Sequence, residues 1–169
     1  AVGMATNVPP HNLGEVIDGC FAYMDNPAIT SEELFEIIPG PDFPTAPLIL
    51  GKSGARSAYT TGRGSILMRA RHEIEEKRGE RRSIVLTSIP YQVGKNGLVE
   101  KIAEAAKEKR IEGISDIRDE SSREGVRVVV DLKRDASPEV VLNQIWRYSP
   151  AQASFPANML AIRGGRPET

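Results

Sequence analysis

The chain has 169 residues, of which 40% are hydrophobic and 27% are charged, and its net charge is −1. This composition is typical of a globular protein of one domain or two small ones, and the chain contains no run of about 20 apolar residues that could span a membrane. Nothing in the sequence suggests secretion, so we expect no secretory leader. The single Cys20 excludes an internal disulfide and a multi-cysteine zinc site.

The first 44 residues predict two helices. The segment HNLGEVIDGCFAYMDN has apolar residues at helical spacing and predicts a helix that ends near Asn26. We expect Cys20 to lie on its buried face, as a small core residue. Thr30 and Glu33 then have the spacing of a capping box, which predicts the start of a short second helix. A rigid linker, PGPDFPTAP, follows.

The rest of the chain alternates strands and helices. LIL predicts a short strand, and KSGARSAYTTG predicts a helical turn that ends at Gly62. Two strands are then predicted, SILMRARHEIE and RRSIVLTSIP. A helix that ends at Gly113 is predicted for KNGLVEKIAEAAKEKRIEG. A hairpin is predicted next, formed by ISDIRDE and VRVVVDLKRD. SPEVVLNQIWRYS predicts a last helix, followed by an extended and then loose tail. The predicted fold is α+β, a mostly antiparallel sheet with helices packed on one face, plus an N-terminal helical segment.

The charges are distributed unevenly along the chain. Residues 1–51 contain seven acids and no Lys or Arg, so residues 52–169 hold all 22 basic residues and 16 acids. Five basic residues and no acid lie between Phe43 and His72, namely Lys52, Arg56, Arg63, Arg69 and Arg71. Such a stretch could face a polyanion, although charge alone favours a solvated face balanced by acids folded next to it.

Two cations with glycine neighbours are candidate anion contacts. Gly62 and Gly64 flank Arg63, and glycines allow a sharp turn and close approach to a partner. A guanidinium there could meet two phosphate oxygens. Lys95 and Asn96 lie at the predicted start of a helix, where free backbone N–H groups favour an anion. Either stretch could instead be an ordinary turn, but together they suggest two basic corners on a sheet.

Two patterns that suggest an enzyme carry less weight. LILGKSG resembles the end of the phosphate-binding loop of nucleotide-binding enzymes. VVVD, at residues 128–131, resembles the acidic strand that holds magnesium in such enzymes. However, Ala46 stands where that loop needs glycine, and Pro47 has no N–H to offer a phosphate. Four acids around the predicted hairpin favour a solvated face over a magnesium or acid–base site: Asp116, Asp119, Glu120 and Glu124.

Several stretches together resemble one family. They are AVGMATNVPPHNLGEV, IPGPDFPT, AYTTGRGSI, IPYQVGKNGLVEKIAE, KRIEGISDIRDES, VVVDLKRDA and NMLAIRGGRP. They are similar to the A subunits of bacterial type IIA DNA topoisomerases, and IPYQV and EGISDIRDES favour DNA gyrase over topoisomerase IV. The resemblance implies the tower, or shoulder, of the breakage–reunion core. Residues 1–44 would continue from a winged-helix domain, and residues 45–169 would be the tower domain, truncated before the coiled-coil exit gate.

This resemblance implies a role in an ATP-dependent isomerase that cuts one duplex, passes another through it and introduces negative supercoils. The nucleophilic tyrosine is expected upstream, so this chain should be inactive alone. No cofactor is expected in the chain, because the family holds magnesium and ATP on the B subunit. The expected partners are double-stranded DNA, the gyrase B subunit, and, in the full-length protein, a second A subunit. The chain alone is expected to be a cytoplasmic monomer.

The resemblance also implies which residues contact DNA. They are Arg63, Lys95, Thr6, Asn7, Asn96 and Arg69. Thr6 and Asn7 are included because, in the family, an isoleucine that inserts between base steps is expected just upstream of this segment. All six contacts are expected to be independent of base sequence. Two glycines around Lys95 depart from the family pattern and are expected to loosen that loop. A free-standing nucleic-acid-binding module is the alternative.

Overall fold

The structure is a computed structural model that describes residues 3–169. Its helices are α1 (Leu13–Asp25), α2 (Ser31–Ile37), α3 (Ser53–Thr61), α4 (Lys95–Lys107) and α5 (Pro138–Tyr148). Its strands are β1 (Leu48–Ile49), β2 (Arg63–Arg69), β3 (His72–Lys77), β4 (Arg81–Leu86), β5 (Ile114–Asp119), β6 (Val128–Leu132), β7 (Gln152–Asn158), β8 (Ala161–Arg163) and β9 (Arg166–Glu168). Within the described range, no helix is both long and apolar enough to cross a membrane.

Local capping interactions start the first two helices. Asn12 caps α1, since its Oδ1 accepts a hydrogen bond from the Glu15 N–H at 3.1 Å. Thr30 and Glu33 form the predicted capping box at α2, where Glu33 N donates to Thr30 Oγ1 at 3.3 Å and Thr30 N donates to Glu33 Oε2 at 2.8 Å. Both predicted helices are therefore confirmed.

The prediction that Cys20 lies in the core is wrong, because this side chain is exposed. Four large apolar residues of α1 are exposed as well: Leu13, Ile17, Phe21 and Met24. The buried residue of α1 is Gly19, where an added Cβ would lie 2.8 Å from Ile38 Cδ1. Helical spacing thus identified the helix, but α1 is packed through its glycine and not through its large apolar residues.

Packing divides the chain into two compact units. The first comprises the chain up to Pro44, Ile49–Leu67 and Ser154–Thr169, and the second comprises Thr45–Leu48 and Met68–Ala153. A three-stranded sheet of order β1-β2-β7 has most of its residues in the first unit. The predicted domain boundary between residues 44 and 45 stays a prediction.

In the first unit, the C-terminal tail returns to the N-terminal segment. Asn7 and Asn158 form an antiparallel bridge with N–H···O distances of 2.8 and 3.0 Å. The buried rings of Phe43 and Phe155 pack with their centroids 5.5 Å apart. The end of the tail, predicted to be loose, instead forms an antiparallel pair of strands, β8 and β9.

The second unit is an antiparallel sheet of order β3-β4-β6-β5 with α4 and α5 packed against it. Alternate residues of β4 and β6 belong to its buried core: Ile84, Leu86, Val128, Val130 and Leu132. They pack with apolar residues of the two helices: Leu98, Ile102, Ala105, Val141, Leu142 and Ile145. This arrangement confirms the predicted α+β fold.

Two predicted elements have different bounds. SILMRARHEIE forms two strands, because β2 ends at Arg69 and β3, which begins at His72, belongs to a different sheet. The helix α4 ends at Lys107 and not at Gly113. Lys109 adopts a left-handed φ of 59°, so this residue takes the conformation that glycine usually supplies at a helix end.

Candidate nucleic-acid interface

Arg63 begins β2 directly after α3, at what we call the Arg63 corner. Gly62 turns the chain there with a left-handed φ of 74°. The Ser57 hydroxyl donates to the Arg63 carbonyl oxygen at 2.9 Å, and the Arg63 N–H donates to Thr61 Oγ1 at 3.3 Å, which fixes its backbone. The Arg63 side chain is exposed and forms no ion pair with any residue in the described range. A fixed backbone with an unpaired guanidinium is suited to a phosphate.

Lys95 is the first residue of α4, at what we call the Lys95 corner, and Gly94 is its N-cap. Lys95 Nζ lies 2.8 Å from Asp119 Oδ2, and the two side chains are 34% and 33% exposed. The hydrogen bond from Lys95, together with those from Ser121, lowers the pKa of Asp119 to about 2. The predicted loose loop is not present, because Gly97 lies inside the helix. Lys95 is therefore a paired cation on a rigid element.

Asn96 and Arg69 have different surroundings from each other. Asn96 is exposed in the first turn of α4. Arg69 donates from Nε and Nη2 to Gln152 Oε1 at 2.9 and 2.7 Å, and its guanidinium lies 5.0 Å from the centre of the Trp146 ring. The Arg69 side chain is thus bonded within its own unit.

Thr6 and Asn7 lie beside the C-terminal tail in the first unit. Thr6 Oγ1 donates to the Asn158 carbonyl oxygen at 3.1 Å, and Asn7 Nδ2 donates to the Pro156 carbonyl oxygen at 2.8 Å. Thr6 is exposed and Asn7 is half-buried. Both side chains therefore stabilise the N-terminal segment, and as DNA-binding residues all six candidates stay predictions.

Ion pairs that the sequence analysis did not predict connect the hairpin of β5 and β6 with strand β3. Asp131, the acid of VVVD, accepts hydrogen bonds from Lys77 at 2.7 Å, Ser83 at 2.5 Å and Arg118. Burial alone would raise the pKa of Asp131, but these three bonds outweigh it and lower the pKa to about 2. Strand register places Ser83 opposite Asp131, 48 residues away along the chain, and no local sequence pattern indicates this pairing.

Three of the four acids around the hairpin are also paired with cations: Asp116 with Arg118 at 3.5 Å, Asp119 with Lys95 at 2.8 Å, and Glu120 with Arg127 at 3.1 Å. Arg127 donates to both oxygens of Glu75 at 2.8 Å and to Glu120 at 3.1 Å. In the part of the chain that the structure describes, no group of three His, Cys, Asp or Glu side chains is placed to hold a metal ion. The candidate cations are therefore Arg63, which is exposed, and Lys95, which is one-third exposed and paired with Asp119.

Comparison with known proteins identifies the family of this chain. Residues 1–169 match the family described as the A subunit of DNA gyrase/topoisomerase IV. The DNA gyrase A subunit of Granulibacter bethesdensis is 60% identical over 99% of this chain and 18% of the relative. The Staphylococcus epidermidis protein of the same name is 59% identical and the Rickettsia conorii one 60%, each over 99% of this chain and 19% of the relative. The chain therefore spans about a fifth of the length of these relatives. It belongs to the family of DNA gyrase/topoisomerase IV A subunits.

Proposed function

We propose that this chain, as the tower of a DNA gyrase A subunit, supports a bent DNA duplex through contacts to phosphates. The observation that carries this proposal is the Arg63 corner, where an exposed guanidinium without an ion-pair partner in the described residues projects from a fixed backbone. The identity of about 60% with named gyrase A subunits supports the same role.

The surroundings of the five cations between Phe43 and His72 support a small contact surface. Three of them interact with neighbouring protein groups: Arg69 with Gln152, Arg71 with the Ala46 carbonyl oxygen, and Arg56 with the Phe35 ring. Arg63 and Lys52 are exposed and have no ion pair within the described range. Phosphate contacts should therefore concentrate at a few cations.

Contacts between the chain and DNA phosphates would offset the free energy needed to bend the duplex. Bending a short site costs of order 1–6 kcal/mol, and contacts to the phosphates of the bent duplex offset this cost. Such contacts are independent of base sequence, as a topoisomerase that acts at many sites requires. In the holoenzyme, ATP and magnesium would be held by the B subunit, and a second A subunit would complete the gate.

The chain itself would not cleave DNA. Tyr59, for example, is a poor nucleophile. Burial, together with the charge of Glu15, raises the pKa of Tyr59 to about 12, so the phenolate is disfavoured. The Tyr59 hydroxyl also forms a 2.6 Å hydrogen bond with His11 Nε2. The attacking tyrosine would lie elsewhere in the full-length protein, within the same cytoplasmic enzyme that performs supercoiling.

The test is the affinity of the chain for a duplex of about 30 base pairs at two salt concentrations. We expect Arg63→Ala to weaken binding to all sequences alike and to lower the salt slope by about one, and Lys95→Ala to weaken it as well. Arg134→Ala is the charge-matched control, because Arg134 is 70% exposed and lies 3.8 Å from Glu80. A loss that depends on base sequence would replace phosphate support with direct readout. Unchanged binding by the Arg63→Ala, Lys95→Ala double variant would exclude both corners.

A further inference from the structure

We propose that Asp119 restrains Lys95 in the free chain, and that duplex binding at the Lys95 corner exchanges this ion pair for a contact between Lys95 and a phosphate. The inference rests on the proposed function and adds to it a residue that lowers DNA affinity. It predicts that the two corners differ, since the Arg63 guanidinium has no such acid among the described residues.

The geometry makes the acid the fixed partner and the lysine the mobile one. Asp119 is the last residue of β5 and is paired with Val128 in the strand ladder. Its Oδ1 accepts from the Ser121 N–H at 3.0 Å, while its Oδ2 lies 2.8 Å from Lys95 Nζ. The carboxylate is thus held by a strand and a turn, whereas the ammonium ends a flexible four-carbon stem.

The electrostatics make the exchange feasible. Lys95 lies at the N-terminus of α4, where the helix dipole is already positive, so an anion is favoured there. Asp119 supplies that anion in the free chain. Both side chains are about one-third exposed, and pairs exposed to this degree are weak and screened by salt. A phosphate can therefore compete for Lys95, and the Asp119 carboxylate opposes its approach.

Asp119→Asn tests the inference, because asparagine has the same shape and its Oδ1 can still accept from Ser121. We expect this variant to bind a duplex of about 30 base pairs about two- to fivefold more tightly than the wild type, with a steeper salt slope. In a Lys95→Met background the same change should give a smaller gain, because there is no ammonium to release. Thermal unfolding of each variant checks that the fold is intact.

The chain offers a matched control on the same helix. Lys101 and Glu104 form an exposed ion pair at 3.2 Å on α4. Glu104→Gln makes the same change of net charge away from the Lys95 corner and should leave affinity close to that of the wild type. A gain equal to that of Asp119→Asn would mean that net charge alone is responsible, which overturns the inference.

The remaining outcomes separate this inference from the proposed function. Weaker binding by a folded Asp119→Asn variant would mean that Asp119 orients Lys95 for the phosphate, and an equal gain in the Lys95→Met background would mean that the acid acts directly on DNA. Either result overturns the exchange. Binding that Arg63→Ala weakens but Asp119→Asn leaves unchanged overturns the exchange alone. No binding by any variant overturns the proposed function as well.

Discussion

A Cβ added to Gly64 would lie 2.2 Å from the carbonyl oxygen of Gly54, so the backbones of β2 and α3 meet there with no space for a side chain. The contact is reciprocal, because a Cβ at Gly54 would lie 2.0 Å from the Ser65 carbonyl oxygen. Sequence reasoning attributed the glycines beside Arg63 to the approach of a partner. At Gly64 the partner is a helix of the same compact unit.

We expect Gly64→Ala to destabilise the chain by about 1–3 kcal/mol or more, because backbone atoms must shift to admit the methyl group. Urea denaturation measures the free energy of unfolding. Gly40→Ala is the control in the same unit, since a Cβ there would meet no atom within 4 Å. If Gly64→Ala and Gly40→Ala have equal stability, the close contact is not present.

At Gly97 we expect the opposite effect of alanine. This glycine lies in the first turn of α4, and a Cβ there would meet nothing within 4 Å. Gly97→Ala should stabilise the chain by about 0.5–1 kcal/mol, because alanine loses less backbone entropy in a helix. The comparison variant is Gly113→Ala. This variant should be less stable than the wild type, because φ at Gly113 is +92° and an added Cβ would lie 2.9 Å from Ala136 Cβ.

The ion pair at the Lys95 corner predicts part of the acid sensitivity. Because hydrogen bonds from Lys95 and Ser121 lower the pKa of Asp119 from 3.8 to about 2, the stabilisation is fully present above pH 3.8 and is lost as the pH falls towards 2. Over this window the unfolding free energy of Asp119→Asn should decrease less steeply than that of the wild type. Above about pH 5 the two slopes should coincide. Parallel curves throughout the acid range would argue against the pairing.

Exposure of Cys20 predicts a reactive thiol. An aromatic disulfide reagent should modify the one cysteine of the native 169-residue chain completely without denaturant. The buried position that helical spacing predicted would instead require unfolding for modification. The rate of thiol modification in the native chain, relative to that in the urea-unfolded chain, distinguishes an exposed from a buried Cys20. A thiol that reacts much more slowly in the native chain would show that the side chain is covered.

Several elements could be predicted because their causes lie within a few residues. The capping box of Thr30 and Glu33 starts α2, and the alternation of Val128 and Val130 places β6 against the core. Family membership was also accessible, because it depends on residues in one continuous register and needs no coordinates. The fold class followed from the order of these elements along the chain.

Partners that are distant along the chain could not be predicted in this way. Helical spacing identified α1 but not its packed side, because Gly19 and not an apolar residue approaches Ile38. Arg63 and Lys95 appeared equivalent, yet one is unpaired within the described residues and the other is bonded to Asp119.

The sequence by itself therefore determined most of the helices and strands, the fold class, the family and the types of residue at each corner. Only the tertiary structure decided which cations remain exposed and unpaired and which acids oppose them. The physical reason is that a propensity or a cap acts over one turn of chain. An ion pair such as Lys95–Asp119, in contrast, forms only after a helix and a strand have packed together.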